Sequence, residues 1–159
     1  PRKSMTSGKS NLWLVRRGLP TDLDAIKRIA DSRKNELGFV RRPTLAESIA
    51  RGELLVAEED GQVMGFVDFH LRRDKQITLY HIATAVDRQR QGIGRGLLAA
   101  LSAMGRDMDA LRIMLKCPAD LEANQFYGTL GFTLHETQNG RKRALNVWTL
   151  GSDRFGSVK

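Results

Sequence analysis

The sequence predicts a single α+β domain. Strands dominate its centre and helices are interspersed among them. Three observations lead there. The chain has 159 residues, 41% hydrophobic and 28% charged, enough to bury one core. Segments of period-two alternation are interspersed with stripes of helical period. No repeat, low-complexity tract or linker divides the chain, so residues 11–150 read as one domain between a mobile basic tail at 1–10 and a C-terminal tail at 151–159.

The elements follow in order. Trp13-Leu14-Val15 starts a short strand. After Pro20, Thr21-x-x-Asp24 has the form of a capping box, and Leu23, Ile26, Ile29 and Ala30 make a helical stripe. A second box, Thr44-x-x-Glu47, opens a shorter helix that Gly52 can end. Leu54 to Ala57 is a strand, Asp60-Gly61 a hairpin turn, and Val63, Gly65, Val67, Phe69 and Leu71 alternate on the returning strand. Ile77 to Thr84 completes an antiparallel meander. Ile93, Leu97, Leu98, Leu101 and Met104 mark a strong amphipathic helix, and Leu111, Ile113 and Leu115 alternate along a strand. Asp120 can cap a last helix carrying Ala123, Phe126, Tyr127 and Leu130 and ending at Gly131. A closing hairpin runs from Phe132 to Leu150 around Asn139-Gly140.

Composition narrows the function. Twenty-six Lys and Arg against 18 Asp and Glu give +8, which favours an anionic partner: nucleic acid, an acidic surface or a phosphate-rich ligand. One cysteine, Cys117, excludes an internal disulfide and a cysteine-rich zinc site, so no metal is expected. Apolar runs are too short for a membrane span, and no apolar run follows the basic N-terminus as a secretory signal would require. The expected compartment is the cytoplasm. Gly8-Lys9-Ser10 lacks the earlier glycine and strand of a phosphate-binding P-loop.

The most informative segment is Gln89-Arg90-Gln91-Gly92-Ile93-Gly94-Arg95-Gly96, between a strand and a helix. Glycines there let backbone N–H groups converge, and a helix N-terminus adds about half a positive charge. Arg88, Arg90 and Arg95 add more, so a pyrophosphate fits. A Rossmann turn requires Gly-x-Gly-x-x-Gly close to a strand end in a βαβ unit, whereas seven residues separate Thr84 from Gly92 and the preceding strands are antiparallel. Close packing of a glycine-rich helix start is the simpler alternative.

Gln89-x-x-Gly92-x-Gly94, after Ile82-Ala83-Thr84 and before a Leu-Leu helix, resembles the acyl-CoA signature of the GNAT superfamily of N-acetyltransferases. The run Asp120 to Phe132, with Asn124, Phe126-Tyr127 and Gly131-Phe132, resembles that family's second block. The resemblance spans residues 12 to 150 and implies a GNAT-like α+β domain, with a central mixed and mostly antiparallel sheet of six to seven strands flanked by about four helices. It also implies transfer of an acetyl group from acetyl-CoA to a primary amine by direct attack in a ternary complex. It implies that Gln89, Arg90, Gln91, Gly92, Ile93, Gly94, Arg95 and Gly96 hold the pyrophosphate. Ile82, Ala83 and Thr84 would pair with the pantetheine arm, with the Ile82 amide on the thioester oxygen. Tyr127 takes the place of the family's general acid; a phenol with a pKa of about 10 is protonated at neutral pH. By its place on the apolar stripe, Tyr127 equally fits the core.

Many members carry a glutamate base where Thr78 stands here, and no acid lies between Ile77 and Thr84. His81 is the titratable substitute, with a structural histidine or a water chain as alternatives. Tyr80 points to the opposite face, and a bulge would change which of the two faces the thioester. Asp68 and His70 share one face of the previous strand, read as a solvated sheet face. Asp120 stands where the family usually has asparagine; Asn124, one turn on, is a candidate pantetheine contact. Cys117 fits a small buried hydrophobe better than an acyl carrier.

The acceptor would be a small-molecule amine or a protein or peptide amine, and a homodimer is compatible. From another class comes a nucleic-acid- or ribosome-associated module on the same scaffold with weak or no acetylation. Arg16-Arg17, Arg41-Arg42, Arg72-Arg73 and Arg141-Lys142-Arg143 speak for it, but no aromatic stacking platform accompanies them.

Overall fold

The computed structural model describes residues 13–159. The expected basic tail at 1–10 lies outside them. Seven strands form one sheet: β1 (Trp13–Arg17), β2 (Leu54–Glu59), β3 (Gln62–Leu71), β4 (Gln76–Thr84), β5 (Arg112–Pro118), β6 (Thr133–Asn139) and β7 (Ala144–Gly151). Their spatial order is β1-β2-β3-β4-β5-β7-β6, and β4–β5 is the one parallel pair. The meander closes through Asp60-Gly61, whose positive φ values of 50° and 81° suit a two-residue hairpin turn.

Among the described residues five α-helices flank the sheet: α1 (Leu23–Ser32), α2 (Lys34–Leu37), α3 (Arg42–Ala50), α4 (Ile93–Asp107) and α5 (Ala123–Thr129). Strand alternation divides the core in two. Leu54, Val56, Phe66 and Ala83 face Ile26, Ile29, Leu45 and Ile49 of α1 and α3. Leu55, Val67, Phe69, Ile77 and Leu79 face Leu97, Leu98 and Leu101 of α4, with Tyr127 and Leu130 near α5. No helix is long and apolar enough to cross a membrane, among the described residues.

Four local expectations are corrected. The first acidic anchor is Asp22, not Asp24: its carboxylate accepts from the Leu19 amide at 2.7 Å and pairs with Arg16 at 2.8 Å. Thr44 does not open a helix, because Pro43, pre-set for a first turn, lets α3 begin at Arg42. Asp120 caps nothing: α5 starts at Ala123, and Asp120 pairs with Arg143 at 2.8 Å. The segment after residue 150 is no tail. A 3-10 turn at Ser152–Ser157 packs Phe155 (2% exposed) and Val158 (6% exposed) into the α4 side of the core.

Two irregularities shape the site. Strands β4 and β5 pair only from Gln76–Leu79 to Arg112–Leu115, then part. Opposite β3, the register steps from Phe69↔Leu79 to Asp68↔His81, so Tyr80 is an extra residue. Before this bulge the odd residues Ile77 and Leu79 face α4; after it Ile82 does, and Ala83 faces α1 and α3.

Candidate active site

The parted ends of β4 and β5 frame a cleft of about 350 Å³. It opens through the sheet, so its lining comes from both faces. Leu115, Cys117 and Tyr127 belong to the α4–α5 side, while His81 and the α1–α2 region (Arg33, Glu36) belong to the other.

His81 is brought to this cleft by the bulge. Its Nδ1 lies 2.8 Å from Oδ1 of Asp68, a side chain with no exposed surface. The second oxygen, Oδ2, accepts from the Ser48 hydroxyl at 3.4 Å. Asp68 is therefore not on a solvated sheet face, as the alternation suggested. It sits between β4 and α3, and a buried carboxylate requires such partners. His70 does stand nearer solvent, with Nδ1 2.9 Å from Oε1 of Glu53. Thr78 lies opposite His70 in the sheet, so the position of the family's usual glutamate offers only a hydroxyl.

Tyr127 lines the cleft from α5 and is also core, 6% exposed, with edge contacts to Phe126 and Phe132. Burial pushes its phenol pKa well above the ordinary value, with Cys117 adding a smaller rise. The phenol therefore stays protonated at neutral pH. Burial likewise pushes the Cys117 thiol up to about 11, and Sγ contacts the Pro118 carbonyl at 3.5 Å, so thiolate chemistry is suppressed.

Asn124 turns its polar atoms to the protein. Its Nδ2 donates to the Pro118 and Leu121 carbonyls at 2.9 and 2.7 Å. Its Oδ1 accepts from Asn146 and Trp148 at 3.0 and 2.9 Å. Its side chain thus ties the end of β5 to β7.

Beyond Thr84 the glycine turn leads into α4. Arg90 (φ 66°) and Gly92 (φ 80°) are left-handed, and no side chain caps the helix. The first amides of α4 lack intrahelical acceptors and are open to an anion. Gly94 faces Phe126: a β-carbon would lie 3.3 Å from its ring. Ile93 and Gly96 are buried and anchor the turn, while Gln91 and Arg95 are exposed. Arg88 is spent on Glu59, leaving Arg90 and Arg95 as the turn's cations. Gln89, with its amide oriented to accept, bonds Arg33 at the C-terminal end of α1. Sequence reasoning missed that bond and the Ser48–Asp68 link. An aspartate between Val67 and Phe69 in an apolar strand was the available signal for the second.

A larger hollow, about 620 Å³, lies between α1, the Asp60-Gly61 turn and Ala85–Asp87. It holds Asp22, already paired with Arg16, and contains neither His81 nor Tyr127. The basic clusters stand on separate elements, and a member of each is paired: Arg16 with Asp22 and Glu58, Arg42 with Asp24, Arg72 with Asp74, Arg143 with Asp120.

Comparison with solved structures gives the same fold. Ard1 from Thermoplasma volcanium superposes with a TM-score of 0.81 at 19% identity, covering 88% of this chain and 97% of that one. The ribosomal-protein-S18-alanine N-acetyltransferase of Escherichia coli gives 0.74 at 23%, covering 87% and 93%. The yncA protein of Salmonella typhimurium, solved with its cofactor acetyl-CoA, gives 0.76 at 23%, covering 90% and 95%. A sequence search of curated proteins finds no match. The profile described as the acetyltransferase (GNAT) domain matches residues 30–147, which takes in the meander, the glycine turn and the second block, and the chain therefore belongs to the GNAT acetyltransferase family.

Proposed function

We propose that the protein transfers an acetyl group from acetyl-CoA to a primary amine by direct attack within a ternary complex. One observation carries the reading: a cleft through the sheet with His81 at one side, Tyr127 at the other and an uncapped glycine turn beyond the end of β4. The turn fits a pyrophosphate, because its glycines leave the α4 amides open and Arg90 and Arg95 stand beside it. Among the described residues, Tyr80 to Thr84 have no strand partner on the β5 side, so their backbone can pair with an amide-bearing arm, and the Ile82 amide would donate to the thioester oxygen.

Acetyl-CoA supplies the activated carbonyl carbon. Nε2 of His81 accepts the proton lost as the amine nitrogen bonds to that carbon and the carbon–sulfur bond breaks. The sulfur leaves with the electron pair. A phenol of raised pKa is a weaker acid than a thiol, so Tyr127 stabilises the departing sulfur by hydrogen bonding, and the proton reaches it by exchange through His81 and solvent. The products are an amide and the free thiol. The buried, protonated Cys117 supports direct transfer over an acyl-enzyme route.

Isothermal titration of acetyl-CoA tests the turn, and thiol release with polyamines, aminoglycosides, amino acids and peptide N-termini tests transfer. Peptide N-termini belong in the panel because the Escherichia coli neighbour is named for a ribosomal-protein alanine. Binding with amine-dependent thiol release is expected; no acetyl-CoA binding would overturn the reading.

A further inference from the structure

We propose that Asp68 is a positioning residue that holds His81 in the Nδ1–H tautomer and thereby directs the basic Nε2 lone pair into the cleft. The inference rests on His81 as the proton acceptor and concerns how a histidine in a strand becomes competent for that task. A neutral imidazole carries one N–H, and the group bonded at one nitrogen decides which lone pair remains free.

The sheet itself builds the arrangement. Without the extra residue Tyr80, Asp68 would stand opposite residue 80. The bulge slides His81 into that place, on the face of Phe66 and Ala83 toward α1 and α3. Bulges beside active sites commonly re-aim one side chain in this way. Asp68 is fixed from behind, since its side chain is fully buried and Ser48 of α3 donates to its other oxygen. A carboxylate so enclosed cannot turn to water, so its hydrogen bond to Nδ1 sets the ring plane.

The other charged groups around the cleft do not compete for the ring. Arg33 pairs with Glu36 at 3.5 Å and Arg143 with Asp120, and neither these nor Lys116 bonds His81 among the described residues. During transfer the imidazole gains a proton at Nε2 and becomes a cation. Asp68 then faces a full positive charge at 2.8 Å, so the pair is better matched after proton uptake than before it.

Two measurements test this. Long-range nitrogen–proton NMR of the wild-type protein should show His81 as the Nδ1–H tautomer at a pH where the ring is neutral; an Nε2–H tautomer would overturn the proposal without any variant. Asp68→Asn keeps the volume but removes the charge. It should lower kcat by at least about tenfold, since replacing the aspartate that orients a catalytic histidine by asparagine costs up to about 10⁴-fold elsewhere. Acetyl-CoA affinity should stay within twofold, which also shows that the variant is folded. Turnover within twofold of wild type would refute the role of Asp68. His81→Ala separates the levels: if it too retains full turnover, the assignment of His81 as proton acceptor falls, whereas if it alone abolishes turnover, only the role of Asp68 does.

Discussion

Gly65 stands where β3, the end of β4 and the start of α4 meet, and adding one methyl there tests whether that junction holds the glycine turn. A β-carbon at residue 65 would lie 2.9 Å from the Ala83 carbonyl oxygen, 3.0 Å from Cγ2 of Ile93 and 3.4 Å from Cα of Thr84. Two of these three atoms are backbone and cannot swing away, so Gly65→Ala must push β4 or α4 outward by a few tenths of an ångström. Overpacking of this kind costs about 1–3 kcal/mol. The smaller freedom of alanine in the unfolded chain returns about 0.4–1 kcal/mol. A net loss near 1–2 kcal/mol lowers Tm by roughly 2–8 °C in a chain of this size. Because Ile93 is the first residue of α4, the same displacement moves the amides proposed to hold the pyrophosphate. Losing one charge-assisted hydrogen bond, about 1.5–3 kcal/mol, weakens acetyl-CoA binding about tenfold or more. Gly105→Ala is the paired control. Its β-carbon would meet only side-chain ends, Cδ1 of Ile77 and Cε2 of Phe155, each at 3.1 Å, far along α4 from the turn. Alanine's helix propensity, about 1 kcal/mol better than glycine's, offsets that crowding. Thermal melts and titration calorimetry read both variants. Wild-type affinity in Gly65→Ala, or equal loss in the two, would refute the coupling between junction and turn.

Gly94→Glu should weaken acetyl-CoA binding at least tenfold in calorimetry, since it puts a carboxylate beside the phosphate turn and a β-carbon 3.3 Å from Phe126. Tyr127→Phe should reduce kcat about 10–100-fold with little change in acetyl-CoA affinity, and equal turnover would remove the hydroxyl from the chemistry. Cys117, with its thiol at about 11, should resist a disulfide reagent at pH 8 in the native state and react on unfolding; fast native labelling would contradict its burial. Arg16→Met should destabilise by about 3–5 kcal/mol in denaturant titration, because the mostly buried carboxylates of Asp22 and Glu58 lose a shared partner. The hydrogen bond from Arg16 holds the Asp22 pKa below its ordinary value. Its contribution is therefore complete above the unfolded carboxyl range, near 3.9, and is lost as pH falls through the lower folded value. Asp22→Asn should flatten the acid limb of the stability curve, and an unchanged limb would show that the pair does not contribute.

The sequence carried the strands of the meander, the helix after the glycine turn and the second block, because each rests on local periodicity or glycine spacing. Asp60-Gly61 is the simplest case: two adjacent positive φ values suit this dipeptide. Caps were less legible, since Asp22, Asp24, Thr44 and Asp120 all have the right chemistry and tertiary pairing selects among them. The bulge at Tyr80 had no local mark of its own. It arises from register against β3, and with it went the knowledge of which side His81 faces. The fate of Asn124 was hidden for a similar reason, as the five hydrogen-bond partners of its side chain come from β5, β7 and the segment between β5 and α5. The C-terminal residues looked like a tail because a lone Phe155 among Gly, Ser and Asp has no periodicity to read.

The short ladder between Gln76–Leu79 and Arg112–Leu115 divides the sheet into two plates, β1–β4 and β5–β7–β6, hydrogen-bonded to each other along one seam and both packed on α4. Each plate is braced on its own side, the first by α1 and α3 and the second by Asn124 and the Trp148 ring. Ile77, Leu79, Ile113 and Leu115 are all buried at the seam. Those four side chains fill the seam where the two halves of the sheet meet. Trimming Leu115, which both fills the seam and lines the cleft, would therefore enlarge the opening from the hydrophobic core without removing a polar group from it.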